Sequence, residues 1–114
     1  MKRYALTLDL QDNPDLIAEY ERYHERIPDA IDQSIRQAGI TDMRIYRLGT
    51  RLFMLMETTD DFSFERKAAM DATNPDVQAW EALMWQFQKT LPQAKPGEKW
   101  LLMKEIFTLN PEKS

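Results

Sequence analysis

Apolar and polar side chains alternate with period two near the start of the chain, where Tyr4, Leu6, Leu8 and Leu10 interleave with Ala5, Thr7 and Asp9. That period predicts a half-buried strand over residues 4–10. Asn13-Pro14 follows, an N-cap residue and then proline at the first helical position, where its missing N–H costs nothing. Leu16, Ile17, Tyr20, His24 and Ile27 then recur at helical spacing. Pro28 cannot donate to the carbonyl of His24 and its ring crowds that carbonyl, so a kink or a restart is expected there. The helical pattern resumes through Ile31, Ile35 and Ala38 and stops at Gly39, the signal for a left-handed cap.

Residues 43–48 and 51–56 flank Gly49-Thr50, a two-residue loop with glycine first that suits a type II′ hairpin between two antiparallel strands. A short helix is expected over 64–71. Asn74-Pro75 starts another, whose stripe of Val77, Trp80, Met84 and Phe87 carries it toward Leu91. Residues 92–97 read as a loop, 100–109 as a fourth strand and 110–114 as a polar tail, all within one domain spanning 1–114. The order is strand, helix, strand, strand, helix, strand. This is the βαββαβ plan of an α+β, ferredoxin-like fold, with both helical layers on one face of an antiparallel sheet.

A lone copy of that plan leaves the second sheet face in water, yet Leu52-Phe53-Met54-Leu55-Met56 and Trp100-Leu101-Leu102-Met103 are apolar on both faces. Such strands belong to sheets covered on both sides. No further helix is available to cover them, so a homodimer packed through its sheet faces, a dimeric α/β barrel, is expected.

Charge narrows the partners. The 114 residues hold 15 Lys+Arg against 19 Asp+Glu, for a formal net charge of −4, and the pI is about 5.0. Without a basic patch, neither nucleic acid nor an anionic membrane is an expected partner. The apolar stretch at the amino terminus is short and interrupted by Asp9, so it does not read as a signal segment. There is no cysteine, which excludes disulfides and thiolate chemistry and agrees with a cytoplasmic location.

The single histidine, His24, limits chemistry further. A metal site built on several imidazoles is impossible within one chain, and the three glycines form no phosphate-cradling loop. Neither a metal nor a cofactor is expected. For acid/base work near neutrality, His24 is the side chain with a suitable pKa. Tyr20 lies four residues before it and shares its helix face, although that spacing equally describes two core-facing residues. The stripe containing Trp80 likewise reads as core on spacing alone, with Glu81 next to it around the helix. An aromatic beside a carboxylate suits a sugar, whose C–H patches stack on rings while its hydroxyls need polar partners. Asp9, Glu57 and Glu105 are further acidic candidates; one of them buried beside His24 would be a second proton-transfer group.

Several segments in order resemble the L-rhamnose mutarotase family. They are EYERYH at 19–24, Gly39 followed by Met43-Arg44-Ile45-Tyr46, RLFMLME at 51–57, VQAWEALM at 77–84, and Glu105-Ile106-Phe107 in the last apolar segment. The likeness runs without gaps over 19–39 and more loosely to Phe107. The resemblance implies a small ferredoxin-like dimer that interconverts the anomers of a 6-deoxy-L-sugar. It implies His24 as the proton donor, with Tyr20 and Trp80 contacting substrate.

Where rhamnose-type members continue Trp-Pro after the match ending at Ile27, this chain has Pro28-Asp29. Their second tryptophan is Glu81 here, and a substrate-contacting tyrosine is Met43. Glu81 and Met43 would therefore line the sugar site in place of aromatic walls. IPDAI with PGEKW looks more like the L-fucose branch, which makes L-fucose the expected sugar, followed by L-rhamnose. Two alternatives remain on sequence: a cofactor-free monooxygenase of the same fold, and a non-catalytic sugar-sensing dimer module.

Overall fold

Along residues 1–111, the part of the chain that the computed structural model describes, the elements are β1 (Lys2–Leu10), α1 (Pro14–Glu25), α2 (Asp29–Gln37), β2 (Ile40–Leu48), β3 (Arg51–Thr58), α3 (Phe64–Ala72), α4 (Pro75–Trp85), β4 (Gln88–Lys89) and β5 (Leu101–Leu102). Residues 112–114 of the expected polar tail lie outside the described residues. The sheet is antiparallel with spatial order β2-β3-β1-β4, and β5 also pairs with β1. This is the ferredoxin-like arrangement, with the fourth position shared between two short strands.

The local signals account for most boundaries. Asn13 caps α1 by accepting from the N–H groups of Asp15 and Leu16 at 3.0 and 3.2 Å. Asn74 does the same for α4 through Asp76 and Val77 at 3.0 and 3.3 Å. At Pro28 the chain restarts. Helix α1 ends at Glu25, Arg26 is extended, and Pro28 becomes the N-cap of α2, its carbonyl accepting from Ile31 and Asp32. Gly39 takes φ +100° and Gly49 φ +60°. No described residue other than glycine has positive φ, so the Gly49-Thr50 loop that joins Leu48 to its partner Arg51 is of the II′ kind.

The second half departs from the sequence reading in two places. Helix α4 stops at Trp85 rather than continuing toward Leu91, and Phe87 is buried from the turn that follows. Helical spacing registers that a side chain is apolar, and a loop residue packed on the core satisfies the same pattern. The expected strand over 100–109 keeps only Leu101–Leu102 on the sheet. Beyond it Ile106, Phe107 and Leu109 are 90%, 75% and 78% exposed, because within one chain these side chains meet nothing to pack against.

The helix-facing side of the sheet carries the core in two clusters. One gathers Leu6, Ala38, Ile40, Met54, Met56 and Phe62. The other gathers Leu10, Tyr20, Leu52, Met84 and Phe87. Ile45 and Trp100 pack against both. On the opposite side of the sheet, the register aligns Ala5 with Leu55, Thr7 with Phe53 and Phe53 with Tyr46. Cross-strand ion pairs stand at either end of this apolar centre, Arg3 with Glu57 at 2.7 Å and Arg51 with Asp9 at 2.5 Å.

Candidate functional site

Between the two core clusters lies a cavity of about 340 Å³, walled by helices on one side and sheet on the other. Tyr20 and His24 reach it from α1, Met43 from β2, and Trp80 and Glu81 from α4. The five residues singled out on sequence therefore line one hollow. The break at Pro28 helps to shape it, since α2 sets out in a new direction and Ile27, in the extended link, joins the lining. The walls are mostly aliphatic, thioether and aromatic, with a few polar groups converging, as in small-ligand sites generally.

His24 is half-buried in the last turn of α1. Its Nδ1 lies 2.8 Å from the backbone carbonyl oxygen of Tyr20. A carbonyl only accepts, so Nδ1 carries the hydrogen and Nε2 is the nitrogen available to a ligand. Two aromatic neighbours pack against the ring, with centroids 4.4 Å away for Tyr20 and 5.6 Å for Trp80. Burial pushes the imidazole pKa below its ordinary 6.5, and the hydrogen bond to the Tyr20 carbonyl partly opposes that shift. The Tyr20 hydroxyl is pushed above its ordinary 10.0, again by burial, against a smaller opposing effect of the nearby Gln88 side-chain amide.

Other polar groups reach the same cavity without having been apparent on sequence. Lys67 and Asp71, one turn apart on α3, form an ion pair at 2.5 Å on its wall. Lys99 stands 4.9 Å above the Trp85 ring; burial lowers its pKa while the nearby Glu81 carboxylate opposes the shift. Gln88 enters from β4. Their approach depends on how α3, α4 and the 92–100 segment fold over the sheet, for which local spacing carries no signal.

The strand acids go elsewhere. Asp9 and Glu57 face away from the helices in their pairs with Arg51 and Arg3, and Glu105 lines a separate concavity over that outer sheet face. The carboxylates on the cavity wall are Asp71 and Glu81. Among the described residues no cluster of three or more histidine, aspartate or glutamate side chains is placed to hold a metal ion. No helix among them is long and apolar enough to cross a membrane.

Comparison with known proteins decides the family. The family model described as L-rhamnose mutarotase matches residues 3–109. The chain belongs to the L-rhamnose mutarotase family. It is thus an isomerase of the kind that interconverts sugar anomers. An L-fucose mutarotase from Xanthomonas campestris pv. campestris is 50% identical over 113 residues, covering 96% of this chain and 90% of that protein.

Among solved structures, an L-rhamnose mutarotase from Formosa agariphila superposes with a TM-score of 0.71 at 18% identity, covering 96% of this chain and all of that one. A dimeric ferredoxin-like protein from an uncultured marine organism superposes at 0.51 with 13% identity, covering 95% and 91%. These last two likenesses establish the fold. A monooxygenase or a non-catalytic sensing module is not favoured by a mutarotase relative at 50% identity over nearly the whole chain.

Proposed function

We propose that this mutarotase family member acts on L-fucose, with His24 as the proton-transferring group. The observation that carries the catalytic part is the 2.8 Å hydrogen bond from His24 Nδ1 to the Tyr20 carbonyl. It commits one ring nitrogen to the helix and leaves Nε2 for a ligand in the cavity that His24 lines. Support for L-fucose comes from the similarity to the Xanthomonas L-fucose mutarotase and from Met43 and Glu81 standing on the cavity wall, where rhamnose-type members carry aromatic residues.

Anomer exchange passes through the open aldehyde. The anomeric hydroxyl loses its proton, the bond from C1 to the ring oxygen breaks, and the ring oxygen gains a proton. After rotation about C1–C2 the same steps run backwards on the other face. In this reading the His24 imidazolium protonates the ring oxygen on opening and the neutral ring takes that proton back on closure. Such a group contributes about 10²–10⁴-fold, adequate for a reaction that also proceeds unaided. Glu81 is assigned the anomeric proton, since Asp71 is already tied to Lys67 at 2.5 Å while Glu81 has no ion-pair contact among the described residues. Trp80 offers a ring face to the sugar, and Tyr20 a neutral hydroxyl.

A homodimer through the outer sheet face belongs to the same proposal. The apolar centre of Ala5, Phe53, Leu55 and Tyr46 is framed by ion pairs, and the exposed Ile106, Phe107 and Leu109 follow it in the chain. Exposed apolar area of this kind commonly marks an interface, and one superposable relative is described as dimeric. A chain without cysteine suits the reducing cytoplasm, where we place the enzyme.

The substrate test compares anomer exchange of L-fucose and L-rhamnose by magnetisation-transfer NMR at equal enzyme concentration. Faster catalysed exchange of L-fucose is expected, and a preference for L-rhamnose overturns the choice of sugar.

A further inference from the structure

Gln88 is 4% exposed, and its backbone and side chain are fixed from several directions. It pairs with Leu10 in the register of β1 and β4, which turns its side chain toward the helices. Gln11 Nε2 donates to its backbone carbonyl at 3.1 Å. Its side-chain amide stands close enough to the Tyr20 hydroxyl to oppose the effect of burial on that group. Its Oε1, however, is buried with no hydrogen-bond partner, and the residue lines the cavity that also holds His24. A buried amide oxygen left unpaired is rare and costly in a folded chain, and a carbonyl on the wall of a ligand cavity is satisfied when the ligand brings a donor.

We propose that Gln88 is a specificity-determining residue, whose Oε1 accepts a hydrogen bond from one ring hydroxyl of the bound sugar. This rests on the mutarotase reading above and deepens it. Tyr20 lines the same cavity, and its hydroxyl is the donor offered to the same sugar. Burial keeps that hydroxyl protonated throughout the working pH range. Together the amide and the phenol present one acceptor and one donor, a pair suited to adjacent hydroxyls. A site built to bond a hydroxyl discriminates strongly against the analogue that lacks it, because its own buried group is then left unpaired.

The test measures kcat/KM for anomer exchange of L-fucose and its 2-, 3- and 4-deoxy analogues, each corrected for the uncatalysed rate, with wild type and Gln88→Met. Wild type should lose about tenfold to a hundredfold on one of the three deoxy sugars. In Gln88→Met that selective loss should shrink to within about twofold while the other ratios stay as they were. If the variant instead loses activity equally on all four sugars, or keeps the wild-type discrimination, the assignment is overturned.

Should Gln88→Met fail to fold, the Gln88 side-chain amide resonances of the wild type are followed during titration with L-fucose. A shift with L-fucose that is absent with the discriminated deoxy sugar supports the role, and unmoved resonances refute it. A wild-type enzyme that accelerates none of the sugars removes the mutarotase reading and Gln88's role with it. Acceleration with unchanged discrimination removes only the latter.

Discussion

His24 Nδ1 and the carbonyl oxygen of Tyr20 are 2.8 Å apart, one helical turn from each other. The two residues are thus linked through backbone and ring as well as through their shared face, and the imidazole is oriented before any ligand arrives. His24→Ala should lower the catalysed exchange of L-fucose by about 10²–10⁴-fold. Line-shape or magnetisation-transfer NMR on freshly equilibrated sugar measures this. Equal rates for the two proteins would end the role given to His24.

Burial makes the imidazolium less favourable in the folded protein, so the folded pKa of His24 lies below 6.5. Between that value and 6.5 the unfolded chain binds more protons, and stability there rises with pH. The contribution is fully present above 6.5 and is lost as pH falls through the folded value. Urea midpoints between pH 7.5 and 5 should therefore fall more steeply for wild type than for His24→Asn. The same shift predicts that kcat/KM falls as pH rises through a midpoint below 6.5, because the imidazolium that protonates the ring oxygen is depleted. That limb should be missing from the residual activity of the His24→Ala protein.

Glu81→Gln keeps the shape of the cavity wall and removes the carboxylate that faces Lys99. If Glu81 takes the anomeric proton, kcat should drop by about 10²-fold or more with KM changed far less. A pure wall residue would give the opposite split, a raised KM at an unaltered kcat.

Leu55 sits in the apolar centre of the outer sheet face, paired with Ala5 on one side and Arg44 on the other. Leu55→Asp places a charge where a second copy would exclude water, without touching the helix-facing core. Sedimentation velocity should show a dimer for wild type and a monomer for the variant. A wild-type chain that sediments as a monomer at micromolar concentration would contradict the proposed interface.

At Gly39 the backbone has φ +100°, and a Cβ built there would stand 2.9 Å from Thr59 Oγ1. Gly39→Ala combines backbone strain with a contact that Thr59 must yield to, so a loss of about 1–3 kcal/mol is expected. The neighbouring geometry makes the loss specific: the carbonyl of Gly39 accepts from the Thr59 N–H at 2.9 Å. Gly49, at φ +60° with open space around it, would meet no such contact on substitution. Thermal unfolding of the two alanine variants separates strain alone from strain with a clash.

Much of this molecule was legible along the chain. The alternation over 4–10, the two Asn-Pro starts, the Gly39 stop and the Gly49-Thr50 hairpin all correspond to elements of the fold. The sharing of a face by Tyr20 and His24 also followed from spacing. Two things misled. Phe87 continued a helical stripe from outside the helix, and the apolar run after Trp100 read as a strand although only Leu101 and Leu102 pair. In both cases the pattern reported hydrophobicity, and the backbone conformation was decided by what the side chains had to pack on.

What the sequence determined by itself was therefore local: which stretches are helix or strand, which face of each is apolar, and that a single imidazole stands one turn from a tyrosine. These depend on residues two to four apart. Tertiary structure decided which polar groups meet that imidazole. It brought Glu81, Lys99 and Gln88 to the cavity and left an amide oxygen there without a partner. Such meetings depend on strand register and on how helices cross the sheet, which join residues 40 to 80 positions apart, and period-two or helical spacing carries no record of them.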